Sequence, residues 1–265
     1  MTFTAGIDVG SLCTKAVILN SEKKIKSYAI LRSGAVYRGA AEAVLNDALQ
    51  KAGLDSKELS YIVSTGYGRS RVACANNEIT EISCHARGAN FILPEIRTVI
   101  DIGGQDSKVI QVNEKGQAAR FVMNDKCAAG TGRFLEVMAG ALEVDLDEMS
   151  EISFQAREDI EVSSMCTVFA ESEVISLFAD GYAKSEIASA VYRSIARRIT
   201  GLVGQLGLKE TVTMTGGVAK SKGMVRALEE KLGLTLFVPP EPQIIGALGA
   251  AIFAHDKVQS SREAK

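Results

Sequence analysis

With 265 residues, 46% of them hydrophobic and 23% charged, the chain can bury a sizeable core as one large domain or two half-domains. Its net charge of −2 gives no electrostatic basis for binding DNA, RNA or an anionic membrane. No apolar run approaches the roughly 20 residues of a membrane span, and MTFTAGIDVGS shows no basic-then-apolar leader, so a cytoplasmic protein is expected.

In chain order, GIDVGSLCTKAVIL from Gly6 reads as two β-branched-rich strands around a glycine turn. A third strand is predicted over 24–32. GAAEAVLNDALQKAG (39–53) predicts a helix with Val44, Leu45, Ala48 and Leu49 on one face and Gly53 at its end. YIVSTG (61–66) predicts a strand, and 81–92 a helix. A second hairpin and its third strand follow over 97–123, then two cysteine-bearing segments. Next comes a long helix, KSEIASAVYRSIARRITGLVGQLG, with Ile187, Val191, Ile195, Ile199, Leu202 and Leu206 at helical spacing. A strand (211–216), a helix ending at Gly233, a strand LTLFV and a small-residue helix IIGALGAAIFA complete the pattern. VPPEPQ reads as a turn, and the polar tail HDKVQSSREAK is expected to fray.

The second hairpin, VIDIGGQDSKVIQV from Val99, repeats the first. Asp8 aligns with Asp101, Gly10 with Gly103, Thr14 with Ser107 and Lys15 with Lys108, at a constant offset of 101 − 8 = 93 residues. A duplicated α/β half-domain accounts for this, with halves at 1–95 and 96–265 and the cysteine segments in the second. Each glycine turn presents backbone N–H groups to an anion, so two of them suit a polyphosphate. Asp8 and Asp101 at the strand ends suit a hydrated Mg²⁺. A third glycine element, MTGGVAKSKG (214–223), follows a strand and opens a helix, as a nucleoside or its α-phosphate requires.

Five cysteines (Cys13, Cys74, Cys84, Cys127, Cys166) without a leader argue against a disulfide framework, and no Cys-x-x-Cys or zinc spacing occurs. Cys74 and Cys84 read as small buried hydrophobes. Cys127 in MNDKCAAGTGRF and Cys166 in SSMCTVFAESEV stand before helical patterns, where free N–H groups and the helix dipole favour thiolates. A cubane cluster takes four thiolates, and a two-fold homodimer would bring two copies of each cysteine to one axis. Two unrelated cysteines remain the other reading at this point. Glu81 and His85, at i and i+4, read as helix packing rather than a metal pair. Glu171 and Glu173 are open between a solvated face and a partner contact.

The order of the three glycine elements resembles the acetate kinase, sugar kinase, heat-shock chaperone and actin superfamily, built from ribonuclease H-type half-domains. More specifically, GIDVGS, STGYGR, EISCHARGA, DIGGQDSKVI, NDKCAAGTGRFLE, CTVFAESEVISL, MTGGVA and PQIIGALGA together resemble the activators of 2-hydroxyacyl-CoA dehydratases. These are relatives of the ATP-binding subunits of benzoyl-CoA reductase. The resemblance implies a homodimeric ATPase whose two subunits share one 4Fe–4S cluster through Cys127 and Cys166. It also implies that one electron is taken from a ferredoxin or flavodoxin and passed to the dehydratase component. ATP hydrolysis would drive this by changing the angle between cluster-bearing helices. ATP or ADP with Mg²⁺ would be held by Ser11, Leu12, Cys13, Thr14, Lys15, Gly103, Gly104, Gln105, Gly216, Gly217, Val218 and Gln243. Asp8, Asp101 and Gln105 are the candidates for positioning metal and water, and Lys15 is placed on the phosphates, with a solvated strand-end lysine as the other reading. A benzoyl-CoA-reductase-type subunit, a small-molecule kinase of the same fold and an actin-like filament former are the rival readings.

Overall fold

The computed structural model describes residues 2–32, 39–164 and 166–263. The chain divides into two compact units, Met1–Arg97 with Val112–Ala119 and Gln243–Lys265, and Thr98–Gln111 with Arg120–Pro242. The last helix, read with the second half from the sequence, falls in the first of these units. None of the helices among the described residues is long and apolar enough to cross a membrane.

In the first unit, β1 (Phe3–Val9), β2 (Cys13–Leu19), β3 (Ile25–Arg32), β4 (Leu59–Thr65) and β5 (Asn77–Glu78) form a sheet in the order β3-β2-β1-β4-β5. The hairpin pairs run antiparallel, whereas β4 lies parallel to both β1 and β5. Side-chain alternation along β1 sets the layers. Phe3, Ala5, Ile7 and Val9 join Val44, Leu45, Ala48 and Leu49 of α1 (Ala40–Ala52) in one core. The residues between them meet α8 (Ile245–Glu263): the Thr4 hydroxyl donates to the Ala251 carbonyl, and Gly6 lies flat against Ala247. α2 (Glu81–Ile92) packs on α8, with Cys84 buried beside Ala250 and Ala254.

The second unit repeats the plan. Strands β6 (Thr98–Ile102), β7 (Ser107–Val112), β8 (Ala118–Asn124) and β9 (Val212–Thr215) take the order β8-β7-β6-β9, with β9 parallel to β6. Helices α3 (Gly132–Ala141), α4 (Leu146–Ser153), α5 (Thr167–Ala179), α6 (Lys184–Leu206) and α7 (Lys222–Leu232) enclose its core. Ile187, Val191, Ile195, Ile199 and Leu206 of α6 are buried, while Leu202 is only partly covered and Val203 takes its place. The shared strand order bears out the duplicated, actin-like α/β reading.

Three local expectations change. LTLFV forms one bridge, Phe237 to Thr213, in place of a strand. The tail is helical as far as it is described: α8 continues to Glu263, and Ala264 and Lys265 lie outside the described residues. Asp256 is held by Lys23 at 2.7 Å and Arg87 at 2.9 Å, and the buried His255 sits 3.1 Å from the Ser21 carbonyl. Helix α4 is an addition: Asp145 caps it by accepting from the Glu148 amide at 2.8 Å.

Candidate functional site

The strand register makes the two hairpins equivalent. Asp8 pairs with Lys15 across β1 and β2, as Asp101 does with Lys108 across β6 and β7. In each case the lysine reaches its aspartate, with Nζ–Oδ2 distances of 3.0 Å for Lys15–Asp8 and 3.2 Å for Lys108–Asp101. Lys15, expected on the phosphates, is thus engaged by Asp8. The parallel neighbour adds a third member: Thr65 lies in register with Asp8, and Thr215 with Asp101. A glycine follows each threonine with positive φ, +86° at Gly66 and +88° at Gly216. A Cβ at either would run into strand backbone beside the aspartate. The Asp–Lys–Thr-Gly set thus occurs twice, and the Thr-Gly members were legible in STG (64–66) and MTG (214–216) but were not read as a repeat.

The two aspartates are not equivalent in what they leave open. Both are buried. Asp101 receives Thr215 Oγ1 at 2.8 Å on Oδ1 and Lys108 on Oδ2. Asp8 carries Lys15 on Oδ2, and its Oδ1 is buried with no hydrogen-bond partner among the described residues. A carboxylate oxygen left in that state suits a hard cation. Ser107 Oγ, on the second hairpin, is also buried without a partner.

The remaining candidates fall on three turns. Ser11 and Leu12 form the β1–β2 turn, and Cys13, Thr14 and Lys15 open β2. Gly103, Gly104 and the exposed Gln105 form the β6–β7 turn, closed by the Gly103 amide donating to Asp106 O at 2.9 Å. Gly216 lies between β9 and a short 3-10 helix, Gly217–Lys220. Val218 is buried in the core of the second unit, so it offers a ligand its backbone alone. Gln243 sits in the 3-10 turn Pro242–Ile244 that leads into α8.

The glycine turn of the second unit is bonded to the segment behind Cys127. The Gly132 amide donates to Gly103 O at 2.9 Å, and the Arg133 amide to Gly104 O at 2.8 Å. These are the first two residues of α3, whose N–H groups lack partners within the helix. Cys127 is half-buried in the loop ahead of Thr131, the residue that caps α3, so it does not stand at the helix start itself. Cys166 does: it is the exposed N-cap residue of α5. All five cysteines are free thiols. Burial pushes the Cys84 thiol up to about 12, more than a hydrogen bond with Thr65 lowers it, and Cys74 is raised by its own burial.

The two cysteine segments are neighbours within the second unit. A cavity of about 570 Å³ has Ala129 and Gly130 from one and Val162, Ser163 and Ser164 from the other in its wall. Helix α5 is apolar on its exposed side, with Val168, Phe169, Ile175 and Phe178 at 46% to 67% exposure, a surface of the kind that partners cover. Glu81 and His85 lie 3.8 Å apart on α2.

Residues 5–254 match the model of the BadF/BadG/BcrA/BcrD ATPase family. The chain is 50% identical over 257 residues to the activator of lactoyl-CoA dehydratase from Anaerotignum propionicum, covering 97% of this chain and 99% of that one. Component A of the (R)-2-hydroxyglutaryl-CoA dehydratase of Acidaminococcus fermentans superposes with a TM-score of 0.95 at 43% identity, covering 98% of this chain and 100% of that one. The activator of the 2-hydroxyisocaproyl-CoA dehydratase from Clostridium difficile, solved with bound ADPNP, gives 0.94 at 44%, covering 99% and 98%.

Proposed function

The chain belongs to the BadF/BadG/BcrA/BcrD ATPase family, and from that premise we propose that it activates a 2-hydroxyacyl-CoA dehydratase by ATP-driven donation of one electron. The observation that carries this reading is the bond pair from Gly132 and Arg133 to Gly103 and Gly104. Through it the phosphate turn and the Cys127 segment form one hydrogen-bonded piece. Relatives and solved neighbours that bear the name of dehydratase activators support the choice over a benzoyl-CoA-reductase-type subunit.

In this proposal the turns at Ser11–Leu12, Gly103–Gln105 and Gly216–Val218, with Cys13, Thr14, Lys15 and Gln243, hold ATP and then ADP. Backbone N–H groups of the turns bind phosphate oxygens. Asp8 would hold a hydrated Mg²⁺ through Oδ1, and such an ion would supply charge neutralisation at the phosphates. Lys108 and Thr215 fix the Asp101 carboxylate, and the exposed Gln105 orients the water for hydrolysis.

Cys127 and Cys166 ligate a 4Fe–4S cluster shared with the same pair of a second subunit, so the working species is a two-fold homodimer. The donor set fits: two accessible free thiols in neighbouring segments give half of the four thiolates a cubane needs. The bound cluster supplies a one-electron redox centre. The apolar side of α5 lies beside Cys166, where a second subunit and the dehydratase component would cover it. A ferredoxin or flavodoxin is the electron source. A cytoplasmic location suits thiolate ligands, which need a reducing compartment.

Iron and sulfide counting after anaerobic purification tests this. The expected result is about four irons per two chains, lost in Cys127→Ser and in Cys166→Ser. Iron retained in both variants overturns the assignment.

A further inference from the structure

The two cysteine segments are held by side chains whose hydrogen bonds go to backbone. Asn124, the last residue of β8, donates Nδ2 to Cys127 O at 2.8 Å and to Ala129 O at 3.1 Å. Thr131 takes the carbonyl between them, with Oγ1 2.6 Å from Ala128 O. Three successive carbonyls at Cys127 are thereby fixed. Arg198 of α6 holds the amide from behind: its Nη2 is 3.4 Å from Asn124 Oδ1, and its stem packs over Gly130.

Glu173 does the converse on the other segment. It lies on α5, and its carboxylate turns back to the chain before Cys166. Oε1 accepts from the Ser163 amide at 2.8 Å and the Ser163 hydroxyl at 2.9 Å, and Oε2 accepts from the Ser164 amide at 2.8 Å. Burial acts to raise the Glu173 pKa, but hydrogen bonds from Ser163 and Ser164 outweigh it and hold the carboxyl below its ordinary value. The group is therefore an ionised acceptor at neutral pH. The same stretch is tied to α6, where Arg193 donates to Ile160 O at 2.7 Å and Arg197 to Val162 O at 2.8 Å.

We propose that Asn124 and Glu173 are positioning residues for Cys127 and Cys166, setting the backbone from which each thiolate is presented. Asn124 uses donors on carbonyls; Glu173 uses acceptors on amides. Neither needs to touch iron, and each acts through its cysteine. The proposal rests on the cluster reading above and names the outer residues of that site. It also gives Glu173 a role that neither a solvated helix face nor a partner contact supplies. Outer residues that orient metal ligands change metal affinity by about 10- to 100-fold when removed.

Isosteric swaps test it with little change of shape. In Asn124→Asp an oxygen replaces the donor and faces two carbonyl oxygens. In Glu173→Gln one acceptor becomes an NH₂ facing an amide N–H, whichever way the group is placed. In the cluster-free protein, hydrogen exchange should quicken over 127–131 in Asn124→Asp alone and over 163–167 in Glu173→Gln alone. In the anaerobically reconstituted protein, iron release to an iron(II)-specific dye should quicken by about 10- to 100-fold in both. The electron paramagnetic resonance spectrum of the reduced cluster should also change, while ATP affinity stays within about twofold. Lys257→Gln on the exposed surface of α8 is the control. Unchanged iron release and spectrum in either swap overturn the role of that residue, even if exchange quickens. Failure of the cluster reading looks different: wild-type protein would hold no iron, or Cys127→Ser would keep it, and the proposal falls with it.

Discussion

Lys108 meets Asp101 across the β6–β7 hairpin at 3.2 Å, and both side chains are 2% exposed. Lys108 also reaches Asp106 at 2.8 Å. The equivalent Lys15 is 15% exposed. Removing one partner of a buried pair strands the other charge, at a cost of about 3–5 kcal/mol, and Asp8 is as buried as Asp101, at 2%. Lys108→Met and Lys15→Met should therefore each lower the denaturation midpoint. Urea unfolding followed by circular dichroism checks this. An unchanged midpoint in either variant would show that its aspartate is not left as an unpaired buried charge.

Asp8 and Asp101 share a register position but should fail differently. Asp101 has Thr215 and Lys108 on its two oxygens, so Asp101→Asn disturbs a satisfied buried network and should cost stability. Asp8 Oδ1 has no hydrogen-bond partner among the described residues, so Asp8→Asn, besides weakening the Lys15 pair, alters an open oxygen. Its expected effect is on Mg²⁺-dependent ATP turnover, by about 100-fold or more. Calorimetry of ATP binding with and without Mg²⁺, beside thermal unfolding of both variants, separates the two. An Asp8→Asn protein with ordinary Mg²⁺-ATP affinity and turnover would refute the assignment.

Much of this plan was legible in the sequence because it is local. The 93-residue offset carried the duplicated hairpins, and helical spacing carried α1, α2 and α6. The missing parts are long-range. Nothing in HDKVQSSREAK announces that Asp256 will meet Lys23 and Arg87, so the tail read as frayed. LTLFV has strand composition, yet its sheet edge offers only the Thr213 bridge. Lys15 read as a phosphate ligand without its Asp8 partner, because the register that pairs the two exists only once the hairpin folds. Glu173 stayed ambiguous for the same reason: its partners, Ser163 and Ser164, lie ten and nine residues back across a turn.

The five thiols should react in an order set by burial. Cys84, fully buried and pushed up to about 12, stays protonated at neutral pH, while Cys166 is exposed. The thiolate is the reacting form. Iodoacetamide added to folded, cluster-free protein at pH 8 should label Cys166 first and leave Cys84 untouched. Since the folded pKa of Cys84 exceeds its ordinary 9.0, the folded state holds that proton longer than the unfolded chain. The associated stability is complete below pH 9 and is lost as pH rises towards 12. Peptide mapping that finds Cys84 labelled in folded protein would contradict this.

Coupling between nucleotide and cysteine segment should pass through the amides of Gly132 and Arg133. Arg133 is the second residue of α3, in the first turn, where proline is tolerated because no helical bond is lost. In Arg133→Pro a ring carbon stands where the N–H donated to Gly104 O, so the bond is deleted and the turn is pushed away. Arg133→Ala keeps the N–H and loses only the exposed ion pair with Glu136, worth a few tenths of a kcal/mol. If the turn carries the nucleotide signal, ATP should speed chelation of cluster iron several-fold relative to ADP in wild type and in Arg133→Ala. In Arg133→Pro the two nucleotides should give one rate. ATP affinity, measured in parallel, decides whether the proline acts on coupling or on binding itself. Retained affinity with lost discrimination assigns the pathway to the hydrogen bond from Arg133 to Gly104. Retained discrimination in Arg133→Pro moves the coupling elsewhere in the second unit.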